Sequence, residues 1–411
     1  MAPRFLTSIA PLYDQELNVW MHVPLLGTTA VLDNNDSFDT KGVFEGDGFT
    51  PDAISGAYTL LDINNVFYHG RETTIFSFVY DDGDVQPVGE FTLPDNSGTL
   101  VGMNLLYDGM LVYSTSQSVV GVISRDFDAS TARQLALNDD ESISNSIAVD
   151  ETNRIYVVTS QRAYGIQWDG STLSISWQAN YNAGSQTSTP AGRLGVGSGS
   201  TPSLMGTRPD DDKFVVITDG ATVMHIVLLW RADIPADWVP IVPGEPRIAA
   251  QVPVTFGNPT TDVSASEQSV LVRGYGAAVV DNYYGISLPA SSRLAQLVIL
   301  VSNLPFIAPR GVEKFEWDPV SRTFDSVWSS NISCPNGIPT MSAASGLMYC
   351  MGQRFAAWTL EALRWDDGSS AFSKFLGWRV AYNSAYAALE VGPNRELVTG
   401  ALGGAIRFRA S

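Results

Sequence analysis

Apolar positions in this chain come in short β-branched and aromatic runs bounded by Gly, Asp, Asn and Pro. That pattern predicts strands over residues 66–68, 74–80, 110–113, 154–158, 213–218, 223–230, 297–301 and 346–350. Asp81-Asp82-Gly83 and Asp366-Asp367-Gly368 read as hairpin turns, since Asp and Gly tolerate positive φ. No long stretch carries the i, i+3, i+4, i+7 apolar spacing of a helix.

The strands recur as a unit. Segments beginning at Asn145, Thr201, Asn336 and Asn383 each start on a small polar residue, then run apolar strand, polar turn, apolar strand. Trp168-Asp169-Gly170, Trp317-Asp318-Pro319 and Trp365-Asp366-Asp367-Gly368 mark turns leading into a further strand. A four-strand repeat of about 40 residues is the signature of a propeller blade. Units begin near Gly56, Val101, Asn145, Thr201, Gln268, Asn336 and Asn383. The expectation is therefore an all-β, single-domain β-propeller over residues 1–411, with seven four-stranded blades; six or eight also accord with the spacing. A strand at residues 16–26 would complete the short last unit, so that the N- and C-terminal strands close the ring and remove its exposed edges. Long insertions at 232–254 and 289–311, rich in Pro and apolar residues, are expected to lie over one face.

Charge narrows the function. The 411 residues carry 24 Lys+Arg against 43 Asp+Glu, net −19, with charged residues at 16%, below the roughly 25% of an average soluble chain. Such a chain lacks the phosphate-neutralising surface of a nucleic-acid binder and a polybasic face for anionic lipid. Its longest apolar runs fall short of the ~20 residues of a membrane helix, and Met1-Ala2-Pro3-Arg4-Phe5 opens no visible leader. Few charges, and two cysteines (Cys334 and Cys350) that either pair or stay as separate buried thiols, lean towards an extracytoplasmic or secreted protein.

Nucleophile elbows and phosphate loops are missing: there is neither a Gly-x-Ser-x-Gly in a strand–turn–helix setting nor a G-x-x-x-x-G-K-[ST]. Of the three histidines, His22 and His225 sit inside strand patterns, and His69, near a hairpin tip, is the best candidate for acid–base chemistry. Trp230, Trp238, Tyr275, Tyr283, Tyr284 and Phe306 fall in or beside the two insertions, with Arg273 close by. An aromatic pocket with few charges suits a small, largely apolar ligand, which Arg273 would orient.

Pro335-Asn336-Gly337-Ile338 followed by Leu347-Met348-Tyr349 resembles a blade of the gluconolactonase-like and strictosidine-synthase-like propellers. So does Asn145-Ser146-Ile147-Ala148-Val149-Asp150 with Arg154-Ile155-Tyr156, while residues 360–368 look like a quinoprotein-like blade. The resemblance implies that Asn145, Glu267, Asn336 and Asn383 face the central channel and hold a divalent cation, Ca²⁺, through oxygen ligands. It also implies an enzyme, lactonase- or hydrolase-like, acting at the channel mouth. The alternatives are a metal-free cyclase, isomerase or C–C bond-forming enzyme using the aromatic pocket by proximity, and a non-catalytic scaffold for a protein partner.

Overall fold

The computed structural model describes residues 11–46, 58–185, 187–190, 193, 195–285, 287–289 and 298–409. The unit start expected near Gly56 and residues 290–297 of the second insertion lie outside them. Eight antiparallel sheets follow one another along the chain, each a contiguous stretch of sequence, and form a single β-propeller. Blade 1 is Leu12–Tyr13, Val19–Val23, Thr28–Leu32 and Thr40–Phe44; blade 2 is Thr59–Leu61, Phe67–Arg71, Thr74–Asp81 and Asp84–Thr92. Blade 3 runs from Leu100–Leu105 to Arg133–Ala136, blade 4 from Ala148–Val149 to Leu173–Asn180, and blade 5 from Ser203–Met205 to Ile248–Pro253. Blade 6 is Leu271–Arg273, Gly276–Val280, Val312–Asp318 and Thr323–Ser330; blade 7 runs from Thr340–Ser342 to Ser370–Gly377. Blade 8 has three strands among the described residues, Leu389–Val391, Leu397–Ala401 and Gly404–Phe408.

The middle strands of each blade are the apolar runs. Val19–Val23, Leu111–Thr115 and Phe214–Thr218 are buried at every position, because neighbouring blades cover both sides of the sheet. Outermost strands such as Leu173–Asn180 bury only the odd position and leave the rest to solvent. The core therefore lies between blades. One cluster joins Phe214, Ile226 and Trp230 of blade 5 to Ala277, Phe315 and Trp317 of blade 6, and another joins Val112 and Val122 to Ile155 and Ile166.

Three expectations are corrected. The blade count is eight rather than seven. Residues 16–26 are not a closing strand shared with the last blade: Val19–Val23 pairs with Leu12–Tyr13 on one side and Thr28–Leu32 on the other, inside a blade of its own. The ends meet through side chains instead, Arg407 bonding Asn34 and the Asn35 carbonyl, and Arg409 bonding Asp36. Finally, the strand expected over 297–301 is a single 3-10 turn, Val298–Val301.

Antiparallel order gives the ring two unlike ends. The turns between first and second strands, and between third and fourth, share a hairpin face; the second-to-third turns and the blade-to-blade connections share a crossover face. The two insertions consequently part company. Residues 231–247 join the third and fourth strands of blade 5 and lie at the hairpin face, whereas the insertion between the second and third strands of blade 6, described at 281–285, 287–289 and 298–311, lies at the crossover face. Ser188–Pro190, in the connection from blade 4 to blade 5, pairs with Ser287–Pro289 of the blade 6 insertion as a small two-stranded sheet over that face.

Candidate functional site

The residues expected in the channel do lie together in one respect. Asn145, Glu267, Asn336 and Asn383 all stand in connections that enter the innermost strand from the preceding blade, on the crossover face, and all are buried. There they are engaged with the protein itself. Asn145 Nδ2 donates to the Ser198 carbonyl at 2.8 Å. Asn336 donates to the Asn383 side-chain oxygen and accepts from Ser302 Oγ at 2.9 Å. Glu267 Oε2 pairs with Arg193 Nε at 3.0 Å, both side chains 4% exposed. Arg193 comes from the blade 4–5 connection and Ser302 from the blade 6 insertion, so the two segments over this face reach down to the channel polar groups.

Tyrosines complete the cluster. Tyr58 bonds the Thr201 side chain and the Ser146 backbone, and burial raises its hydroxyl pKa. Tyr284 bonds Tyr386; burial raises the first, and burial with the neighbouring Tyr284 and Glu267 raises the second well above the ordinary phenol value. These hydroxyls stay protonated at any physiological pH. A calcium site needs several anionic or carbonyl oxygens around one point. Of the four residues expected to hold one, only Glu267 is a carboxylate, which a buried guanidinium already neutralises, and the amide oxygens of Asn336 and Asn383 already accept hydrogen bonds from Ser302, Asn336 and the Ala385 backbone. The donor set fits Ca²⁺ poorly. Arg193, Ser302, Tyr284 and Tyr386 are not among the expected channel residues; Arg193, Ser302 and Tyr284 come from a connection and an insertion that no repeat places, and Tyr386 stands three residues after Asn383 in the connection to blade 8.

The aromatic set divides between the two faces. Trp230 and Trp238 meet edge to face at 5.3 Å, and Tyr275 packs against the same cluster. With Arg273 they sit at the hairpin-face end of blades 5 and 6, as part of the interblade core. Tyr283 and Phe306 are on the opposite, crossover face, and Phe306 is fully exposed. One pocket cannot hold all six. The reason is directional: the insertions leave their blades after the third strand in one case and after the second in the other.

His69 lies in strand Phe67–Arg71, is 3% exposed, and stacks on His22 at 3.6 Å and on Phe78 at 5.0 Å. Burial holds its pKa down at about 3. It lines a cleft of about 370 Å³ between blades 1 and 2, with Phe44, Phe76, Arg71 and Glu90. A second cleft, about 530 Å³, opens between blades 2 and 3 around Asp62, Tyr68 and Arg125. Neither reaches the channel residues. Cys334 and Cys350 form a disulfide between the blade 6–7 connection and the second strand of blade 7.

A different population of side chains faces solvent on the crossover face. Phe306 is 102% exposed, Phe355 91% and Trp378 68%. Asn303 Nδ2 donates to the Ala356 carbonyl at 2.7 Å, which holds the insertion beside the Phe355-Ala356 turn of blade 7. Trp358 pairs with Gly377, which brings Trp378 to the same end of that blade.

These features define the class: an eight-bladed β-propeller with buried, mutually bonded polar side chains on its crossover face, beneath the paired blade 4–5 connection and blade 6 insertion. No family model matches the sequence. The chain is 46% identical over 375 residues to an uncharacterized protein of Archaeoglobus fulgidus, covering 88% of this chain and 72% of the relative, and it belongs to that protein's family. Among solved structures, BamB from Moraxella catarrhalis superposes with a TM-score of 0.59 at 12% identity, covering 97% of this chain and 94% of that one. Sqt1 of Saccharomyces cerevisiae gives 0.58 at 8% identity, covering 100% and 98%. These likenesses establish the propeller and do not single out the gluconolactonase-like group. No helix among the described residues is long and apolar enough to cross a membrane.

Proposed function

We propose that the protein is a non-catalytic binding platform whose working surface is the crossover face of blades 6 and 7. The observation behind this reading is a contrast on that face: the channel polar groups are buried against one another, while Phe306, Phe355 and Trp378 stand exposed. Exposed aromatic clusters of this kind mark docking surfaces. The Cys334–Cys350 disulfide suits an oxidising compartment, so an extracytoplasmic setting is part of the proposal. The test is a photoreactive residue placed at position 306 or 355, with position 239, 77% exposed on the hairpin face, as control. Irradiated in extract that retains its membranes, the protein should form adducts from 306 and 355 and few from 239. Equal labelling from all three positions sinks the reading.

A second reading, hydrolase- or cyclase-like chemistry on a small apolar molecule, draws on Asp281. Burial raises its carboxyl to about 7, at the foot of the insertion and beside Tyr283, whose backbone N–H donates to it at 2.9 Å. A carboxyl titrating near neutrality suits proton transfer. Turnover of a lactone or ester series that disappears in Asp281→Asn would favour this reading over the platform.

A further inference from the structure

The face that carries Phe306, Phe355 and Trp378 is also unlike the rest of the molecule in charge. The chain as a whole is at −19. Yet on the crossover face the later part of the blade 6 insertion and the segments of blades 7 and 8 (residues 298–311, 331–339, 353–356, 377–388 and 402–403) contain no Asp or Glu; the acids nearest to them on that face are Asp281 at the foot of the insertion, and Asp262 and the Arg193-paired Glu267 in the connection entering blade 6. The same segments contain Arg310, Arg354 and Arg379. Arg354 is tied to buried Glu361 at 2.7 Å, whereas Arg310 and Arg379 are exposed beside the apolar residues. Leu300, Val301 and Leu304 extend the apolar surface from the insertion, and residues 294–309 are without a single charge. Most exposed acids of the same face lie elsewhere round the ring, at Glu72, Asp95, Asp139 and Asp140 in blade 2 and in the connections from blade 2 to blade 4, with Asp262 on the side where the chain enters blade 6. Averaging charge over the whole chain, which argued against any face for anionic lipid, conceals this sector.

An aromatic and aliphatic cap flanked by arginines, on an otherwise acidic body, is the chemistry of the membrane interface. Aromatic rings settle at headgroup level, aliphatic side chains enter the acyl boundary, and guanidinium groups pair with phosphate. The acidic far side is repelled by the same surface, which fixes orientation. A protein partner would need its own acidic, apolar complement, and nothing in the molecule points to one. We propose that the crossover face of blades 6 and 7 docks peripherally onto a lipid surface containing anionic headgroups, Phe306, Phe355 and Trp378 entering the interface and Arg310 and Arg379 contacting phosphate. This identifies the partner of the platform described above and rests on that reading.

The experiment is flotation of the full chain with vesicles of phosphatidylcholine alone and of phosphatidylcholine mixed with phosphatidylglycerol, at low and high salt. The native protein should float with the mixed vesicles, less with the neutral ones, and less again at high salt as the arginine contribution is screened. Phe306→Asp with Trp378→Asp should abolish flotation without lowering the melting temperature, since neither side chain is in the core. Arg310→Glu with Arg379→Glu should remove only the preference for phosphatidylglycerol. Absence of flotation with either lipid overturns the proposal, as does flotation that survives Phe306→Asp with Trp378→Asp. If light scattering shows a dimer that those same substitutions convert to monomer, a second copy covers the face and the lipid proposal fails. Photo-crosslinks to protein from positions 306 and 355, with no vesicle binding, would leave the platform standing and remove the membrane.

Discussion

Trp168 Nε1 donates to Asp108 Oδ2 at 2.8 Å, across 60 residues of sequence and from the end of one blade to the first turn of the blade before it. The relationship recurs: Trp317 Nε1 donates to Asp212 Oδ2 at 2.9 Å between blades 6 and 5. At the junctions that alternate with these an arginine takes the tryptophan's place. Arg125 reaches Asp62 at 2.6 Å from blade 3 to blade 2, and Arg231 approaches Asp150 at 4.0 Å from blade 5 to blade 4. All four pins lie on the hairpin face, each linking a blade to its predecessor.

The tryptophan pins should contribute measurably. A hydrogen bond to a charged acceptor is worth about 1.5–3 kcal/mol, and Asp108 is exposed enough that the lower end applies. Trp168→Phe should therefore lower urea-unfolding stability by about 1–2 kcal/mol. Asp108→Ala in the Trp168→Phe background should add little. A double-mutant cycle showing no coupling would dismiss the pin.

Arg193 and Glu267 form an ion pair buried on both sides. Removing one partner strands a charge away from water, which costs about 3–5 kcal/mol, whereas removing both leaves no unpaired charge. Arg193→Met alone should thus destabilise more than Arg193→Met with Glu267→Met. Circular dichroism melts of the two variants decide the matter: equal melting temperatures would mean that water reaches the pair.

Two groups of residues pull stability in opposite directions with pH. His22 lies well below the usual 6.5, through burial and then its neighbours His69 and Arg71, and burial brings His69 to about 3. Between pH 6.5 and 3 the unfolded chain takes up protons that the folded chain refuses, so this contribution is full above 6.5 and is lost as pH falls. Asp281 and Glu390 are raised by burial to about 7, from 3.8 and 4.5. Their contribution is full below those unfolded values and is lost as pH rises through 7. His69→Phe should flatten the acid limb of urea midpoint against pH, and Asp281→Asn the limb towards pH 8. An unchanged acid limb in His69→Phe would show that the stacked imidazoles are reached by water.

Most of the fold was legible because blade architecture writes itself into local pattern. The six repeat starts that fall among the described residues lie within about six residues of an innermost strand, and the turn at Asp81-Asp82-Gly83 stands where expected. The missed blade also left a signal. Asp14, Asp62 and Asp150 each accept backbone N–H groups two and four residues on, and each bonds the ring polar atom of Trp20, Tyr68 or Tyr156 six residues on. Leu17, Asn65 and Asn153, three residues on, all have positive φ, so the first hairpin of blade 1 copies those of blades 2 and 4. Reading 16–26 as one strand concealed that copy.

The site was less legible for a physical reason. Position along a repeat says which end of a blade a residue occupies; it says nothing of what an insertion brings to it. The family resemblance, carried on the repeat, is what assigns Asn145, Glu267, Asn336 and Asn383 to one end of the ring. Their partners Ser198, Arg193 and Ser302 come from segments with no repeat to read. The pattern marks His22 as a strand residue but puts His69 near a hairpin tip, whereas it lies inside strand Phe67–Arg71, and nothing local announces that the two rings lie flat against each other.

The small sheet between Ser188–Pro190 and Ser287–Pro289 alters how the ring should come apart. Where each blade touches only its neighbours, a propeller can lose blades in sequence, much as a linear repeat array frays. A strand pairing between the blade 4–5 connection and the insertion of blade 6, with Arg193 and Ser302 reaching down to the channel on either side, ties three blades into one mechanical unit. Blades 4 to 6 should then open as a block, so that amide exchange across them shares a single opening free energy while blades further round the ring open on their own.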